Sequence, residues 1–343
     1  MRTDTTSVID RLLKSDESSI RYKTRVNVLG EDETSTSVRK LRNEIRESPR
    51  VRALLQRQDP KTDEIRCFKH LYDKWQGTHW IIAALADLGY PAGDRKLHAA
   101  RDQLLDFWLR DHYFKEFDAR GPKDVYKNED GGVPRIEGRL RRCGSQQGNV
   151  LWSIETLGIG DKRSAKLVER LLHWQWPDGG WNCDKNPSAD TSSFMETLIP
   201  MRALALYGRK YKHKPARDAA SRAAEVFLSR KLIRRRSNNS IINAEFVKLH
   251  YPLYWHYDYL GALKVLAEMD LLDDPRCDEA LDLLESKRLS DGGWPAQAKY
   301  YTVSSKQKHG ADFVDWSSAG ARQMNEWVTV DALFVLRRAG RSK

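Results

Sequence analysis

The chain has 343 residues, of which 40% are hydrophobic, with 11 Trp, enough to fill a sizeable core. Four Cys in so long a chain exclude a disulfide framework and point to a reducing compartment, read here as the cytoplasm. Lys and Arg outnumber Asp and Glu by 59 to 48, a formal net charge of +11. The excess gathers at Arg21–Arg25, Arg139–Arg142 and Arg230–Arg236, faces that suit solvent, nucleic acid, an anionic membrane surface or a diphosphate.

Residues 1–50 are polar and charged, with a Ser/Thr-rich stretch at Glu33–Ser37. They read as an N-terminal charged helical extension, with 51–343 as a single domain. The start carries no apolar targeting segment, and no apolar run approaches the roughly 18 residues of a membrane span.

Beyond residue 50 helical periodicity dominates, and two kinds of helix take turns. Ala100–Leu109, Ala165–Leu172, Ala220–Leu228 and Glu279–Leu284 place apolar residues three and four apart with charges between them, as outer helices do. The others are apolar all round, as buried helices are, and end at Gly89, Gly158, Gly208, Asp270 and Gly340. Glycine just past a helix end is the common left-handed cap. The alternation predicts an all-α fold in two concentric layers, an α/α toroid of about five or six helical hairpins. A straight solenoid of helix pairs is the alternative.

Two turns stand out. Gln175-Trp176-Pro177-Asp178-Gly179-Gly180-Trp181 returns as Arg288-Leu289-Ser290-Asp291-Gly292-Gly293-Trp294, and Asp130-Gly131-Gly132-Val133 is a degenerate copy. The first turn resembles the QW motif, Gln-x-x-x-Gly-x-Trp, of squalene and oxidosqualene cyclases, in the superfamily of terpenoid cyclases and protein prenyltransferases. Gln175, Gly179 and Trp181 match it, and the helical rhythm extends the resemblance over roughly residues 50–340. The family's reactive motifs are altered. The class II acid motif ends like Asp190-Thr191, but Ala189 stands at the acid position, and Glu196 stands where prenyltransferases place a zinc-ligating His. The resemblance implies a toroid holding a small apolar or isoprenoid ligand, an enzyme of cyclase or prenyl-transfer type with non-standard acid and base residues. The alternative is a non-catalytic toroid that binds lipid, protein or nucleic acid.

The first turns of the inner helices carry His79, Gln147, Glu196, Asp258 and Glu326. Polar groups converging at the mouth of an apolar cavity make a ligand site, whereas each alone suits helix capping. Glu196, Asp258 and Glu326 are the candidate acids or bases, assisted by His79 and His256. Trp80, Tyr254, Trp255 and Tyr257 are candidate aromatic lining. Gln147, Asp184 and Asn325 are candidate polar contacts, and Arg142 and Arg322 candidate anion contacts. No cofactor is required by the sequence and its nature stays open. Cys143 and Cys183, each ahead of an inner helix, are structural thiols or, with a His or Glu, the beginnings of a zinc site.

Overall fold

The computed structural model describes residues 5–56, 58–62, 65 and 70–341; Cys67 lies outside them. The expected all-α class stands: the described residues form helices with a few short strands. The chain gathers into two compact units. One takes residues 1–58, 65–91 and 228–343, the other 59–64 and 92–227.

The first unit begins with α1 (Thr5–Leu13), α2 (Ser18–Lys23), α3 (Thr36–Arg46), α4 (Pro49–Leu55) and α5 (Thr78–Leu88). Ser35 and Ser48 cap α3 and α4 by accepting the backbone N–H three residues on. Helix α5 is buried nearly all round, as its composition predicts. It ends at Gly89 with φ 78°, and a Cβ there would lie 2.4 Å from the Tyr22 ring, so conformation and space both demand glycine.

The second unit holds α6 (His98–Trp108), α7 (Pro122–Lys127), α8 (Gly144–Thr156), α9 (Ser164–Trp174), α10 (Phe194–Lys210) and α11 (Lys214–Leu228). Its strands are β1 (Glu116–Asp118), β2 (Val133–Ile136) and β3 (Arg139–Leu140), with β1 parallel to β2 and β2 antiparallel to β3. The third Gly-Gly turn leads into β2 rather than into an inner helix. Helices α8 and α10 meet closely, since a Cβ on Gly148 would lie 2.8 Å from the Pro200 nitrogen. Gly208 is not the expected cap. Helix α10 runs through it to Lys210, and the glycine serves the approach of Arg217, 2.6 Å from where a Cβ would sit.

The chain then completes the first unit with α12 (Tyr259–Glu268), α13 (Asp278–Ser286), β4 (Thr302–Val303), β5 (Ala311–Asp312) and α14 (Glu326–Arg338). The expected amphipathic segments are α6, α9, α11 and α13. The apolar ones are α5, α8, α10, α12 and α14.

The two full turns have one construction. Trp176 N–H donates to Gly180 O (2.8 Å), and Leu289 N–H to Gly293 O (2.8 Å). The Trp181 indole donates to Leu171 O (2.9 Å), and Trp294 to Leu284 O (2.7 Å). The backbone N–H of each Trp donates to a threonine of the following inner helix, Thr197 (3.1 Å) and Thr329 (2.9 Å). Gln175 Nε2 donates to Gly179 O (2.7 Å), and in the second copy Arg288 Nε donates to Gly292 O (3.0 Å). Both tryptophans are fully buried.

Candidate metal centre

The turn ending at Trp181 delivers Cys183 to the second unit's interior. The same indole packs on Gly144, where a Cβ would come within 2.8 Å of the ring, and this seats Cys143 at the start of α8. Glu196 projects from the first turn of α10. The two sulfurs and a Glu196 oxygen lie within 4.8 Å of one another. Cys183 Sγ is 3.5 Å from Glu196 Oε1, and Ser145 N–H donates to Glu196 Oε2 (3.1 Å).

The loop between Cys183 and Glu196 is fastened along its length. Asn182 donates to Thr191 O (2.9 Å), Ser193 N–H to Trp181 O (2.9 Å) and Arg141 to Ala189 O (2.7 Å). Ser192 donates its N–H and hydroxyl to Asp178 (2.7 and 2.6 Å). The ligand atoms are therefore set by several mutually supporting bonds.

The Cys183–Glu196 distance of 3.5 Å can be set against that of two ligands on one zinc. Zinc bonds of about 2.3 Å to sulfur and about 2.0 Å to oxygen, opened to a tetrahedral angle, put S and O about 3.5 Å apart. Two of the groups are shifted towards their protonated forms. Burial raises the Glu196 carboxyl, against the bonds from Ser145 and Cys183 and the charge of Arg142. The Cys143 thiol, then burial, pushes the Cys183 thiol far above its ordinary value. A bound cation reverses that preference by attracting the ionised ligands.

Arg142 stands beside this group. Its guanidinium faces the rings of Tyr113 (4.8 Å), Trp108 (5.8 Å) and Trp174 (5.8 Å). With the Gln147 amide oriented by its hydrogen bonds, its oxygen accepts from Arg142 Nη2 (2.8 Å) and its nitrogen donates to Cys143 O (3.3 Å). Burial lowers the Arg142 pKa, offset by the charges of Cys143, Tyr113, Glu196 and Cys183.

The remaining candidates of the second unit do not join the group. Asp184 is exposed and accepts Asn186 N–H (2.9 Å) in a local turn. Asp190 is exposed beside Ala189.

The first unit gathers a different set. His79 is buried, with its ring edge-on to Tyr72 (4.9 Å) and Trp80 (4.7 Å), and burial pushes its pKa down to about 3. Trp80 donates to Tyr72 O (3.2 Å). Tyr254 stacks on Trp75 (3.9 Å) and donates to Asp312 (2.6 Å). Trp255, His256, Tyr300 and His250 form one column, with successive centroids 4.2, 3.6 and 4.4 Å apart. His256 Nδ1–H donates to Leu253 O (3.1 Å), and burial lowers its pKa to about 4.

Asp258 caps α12, accepting Gly261 N–H (2.8 Å), and also takes His250 N–H (2.9 Å). Asn325 caps α14, accepting Val328 N–H (3.1 Å). Tyr257 is buried and donates to Leu232 O (2.7 Å). Glu326 accepts from Ser15 (2.8 Å), and Arg322 is exposed.

Sequence reasoning missed Trp108, Tyr113 and Trp174 around Arg142, and Trp75, Tyr300 and Asp312 in the first unit. The aromatic end of each amphipathic helix was the available signal for Trp108 and Trp174.

No protein-family model matches the chain, and no curated protein matches it in sequence. Among solved structures it is similar to an unsaturated glucuronyl hydrolase from Bacillus sp. GL1, described as responsible for degrading glycosaminoglycan. Identity is 16% and the TM-score 0.48, over 98% of this chain and 86% of that one. A second is a UGL structure with dGlcA-Glc-Rha-Glc, at 17% identity and TM-score 0.45 over the same shares. Likeness at this level transfers no site residue.

These neighbours are hydrolases, not terpenoid cyclases or prenyltransferases, and the family resemblance is corrected accordingly. The expected isoprenoid ligand and the cyclisation or prenyl-transfer chemistry fall with it. Binding of lipid, protein, nucleic acid or an anionic membrane surface gains no support. What the QW pattern marks in this chain is a turn construction, used twice. Among the described residues, no helix is long and apolar enough to cross a membrane.

Proposed function

We propose that this chain is a metal-dependent enzyme of hydrolytic type, with Cys143, Cys183 and Glu196 as the ligands of a zinc-class cation. The observation that carries the reading is the convergence of the three ligand atoms, from three separate segments, within 4.8 Å. Three protein ligands leave one tetrahedral position for water or substrate, the arrangement of catalytic rather than structural zinc. The cation would supply a nucleophile by making bound water acidic near neutral pH.

The residues have separate tasks. Two thiolates and a carboxylate bring three negative charges, one more than a divalent cation offsets, and the guanidinium of Arg142 compensates the remainder through space. Ser145 N–H fixes the Glu196 oxygen that faces away from Cys183. Gln147 orders Arg142 against the Cys143 carbonyl. The described cysteines, Cys143, Cys183 and Cys277, are free thiols, which supports a reducing compartment such as the cytoplasm.

The test is metal content by mass spectrometry after purification without chelator. Near-stoichiometric zinc is expected in the wild type, and much less in Cys183→Ser and Glu196→Gln. A wild type that holds no metal after incubation with zinc sinks the proposal.

A further inference from the structure

We propose that the substrate taken at this centre carries an anionic oxygen group, a carboxylate or a phosphate, held by the guanidinium of Arg142 beside the cation. The inference rests on the metal reading above and adds the chemical class of the substrate.

The argument is one of unmet hydrogen bonds. A guanidinium has five N–H donors in a rigid fork. Arg142 has one acceptor, the Gln147 oxygen on Nη2. Its Nε is buried without a partner. No carboxylate of the described residues forms an ion pair with it; Glu196 acts on it through space while its own oxygens face Ser145 and Cys183. The rings of Trp108, Tyr113 and Trp174 stabilise the charge through their π faces but accept no in-plane N–H. A buried guanidinium N–H left without an acceptor, as at Arg142 Nε, is costly. A carboxylate or phosphate meets the Nε–Nη edge with two parallel bonds, the geometry for which Arg is preferred over Lys. Arg142 lies near enough to Cys143, Glu196 and Cys183 to interact with all three through space, and Gln147 links it to Cys143 O, so an anion on the guanidinium is held beside the cation site. Arg141 of the same patch is also buried, lies over Trp176 and has an unpartnered Nε, but it donates to two backbone carbonyls, Ala189 O and Ile136 O, and is thereby tied to the protein's own backbone.

The experiment uses the cobalt(II)-substituted protein, titrated separately with acetate and inorganic phosphate and followed by visible absorption. A saturable spectral change with one probe is expected in the wild type, and the responding probe tells carboxylate from phosphate. Arg142→Gln should keep its thiolate-to-cobalt band and weaken the response by at least about tenfold, the loss of one charged hydrogen bond. Arg142→Lys, with charge but no fork, should be intermediate, and it serves as the reporter if Arg142→Gln does not fold. No response to either probe, or an equal response in wild type and variants, overturns the anion subsite alone. A wild type without the thiolate-to-cobalt band overturns the metal reading and this inference with it.

Discussion

Acid should loosen the first unit through one residue. His79 is 2% exposed and held neutral, its pKa pushed by burial from 6.5 to about 3, with the charge of His70 a smaller cause in the same direction. The folded value lies below the unfolded one, so protonation favours the unfolded chain. The contribution is whole above pH 6.5 and is lost as pH falls towards 3. Between about pH 7.5 and pH 5 the unfolded imidazole takes up most of a proton and the folded one almost none. At 1.36 kcal/mol per pH unit over about 1.5 units, stability should fall by about 2 kcal/mol. Urea unfolding at both pH values, on wild type and His79→Gln, isolates the effect, because other groups titrate alike in both proteins. The wild type should lose about 2 kcal/mol more than the variant over this interval. Equal losses would refute the reasoning.

Three further outcomes are expected. Trp181→Ala and Trp294→Ala should each cost about 3–5 kcal/mol by denaturant unfolding, but only Trp181→Ala should also lose bound metal; equal metal loss in both would contradict the seating of Cys143 and Cys183 by Trp181. Zinc at a hundred times its dissociation constant should raise wild-type stability by about 2.7 kcal/mol, and thermal melting with and without chelator should show no such gain in Cys183→Ser. Asp258→Ala should cost about 1–2 kcal/mol by urea unfolding, and Asp258→Asn should cost about 1–3 kcal/mol, because its amide has one acceptor for the Gly261 and His250 N–H groups that the two carboxylate oxygens now accept; an Asp258→Asn as stable as the wild type would mean that the His250 bond contributes nothing.

The helical rhythm was legible because burial all round and burial on one face leave different periodicities in α5 and α6, or α8 and α9. The caps were legible where the backbone turns left-handed just past the helix, as at Gly89. Gly208 misled because its glycine answers a spatial demand, the approach of Arg217 from α11, which has no local signature. Cys143 and Cys183 were read together, as structural thiols or the beginnings of a zinc site with the His or Glu left open. Their union with Glu196 depends on how Trp181 packs against Gly144, a contact that no spacing rule encodes. Asp258 and Asn325 looked like members of a site, and their side chains cap helices, since capping and catalysis draw on the same residue types at the same positions. The family resemblance went astray because a turn that solves a packing problem is kept by whatever needs that packing.

Arg288 doing the work of Gln175 has a consequence for the charge of the molecule. What the turn requires is an N–H donor that can reach the carbonyl two residues before its tryptophan, and an amide or a guanidinium meets that requirement. The scaffold can therefore exchange neutral for basic residues at such points without rebuilding the turn. Part of the net charge of +11 is in this sense free to drift. At this point of the turn, local charge and local architecture vary on separate axes.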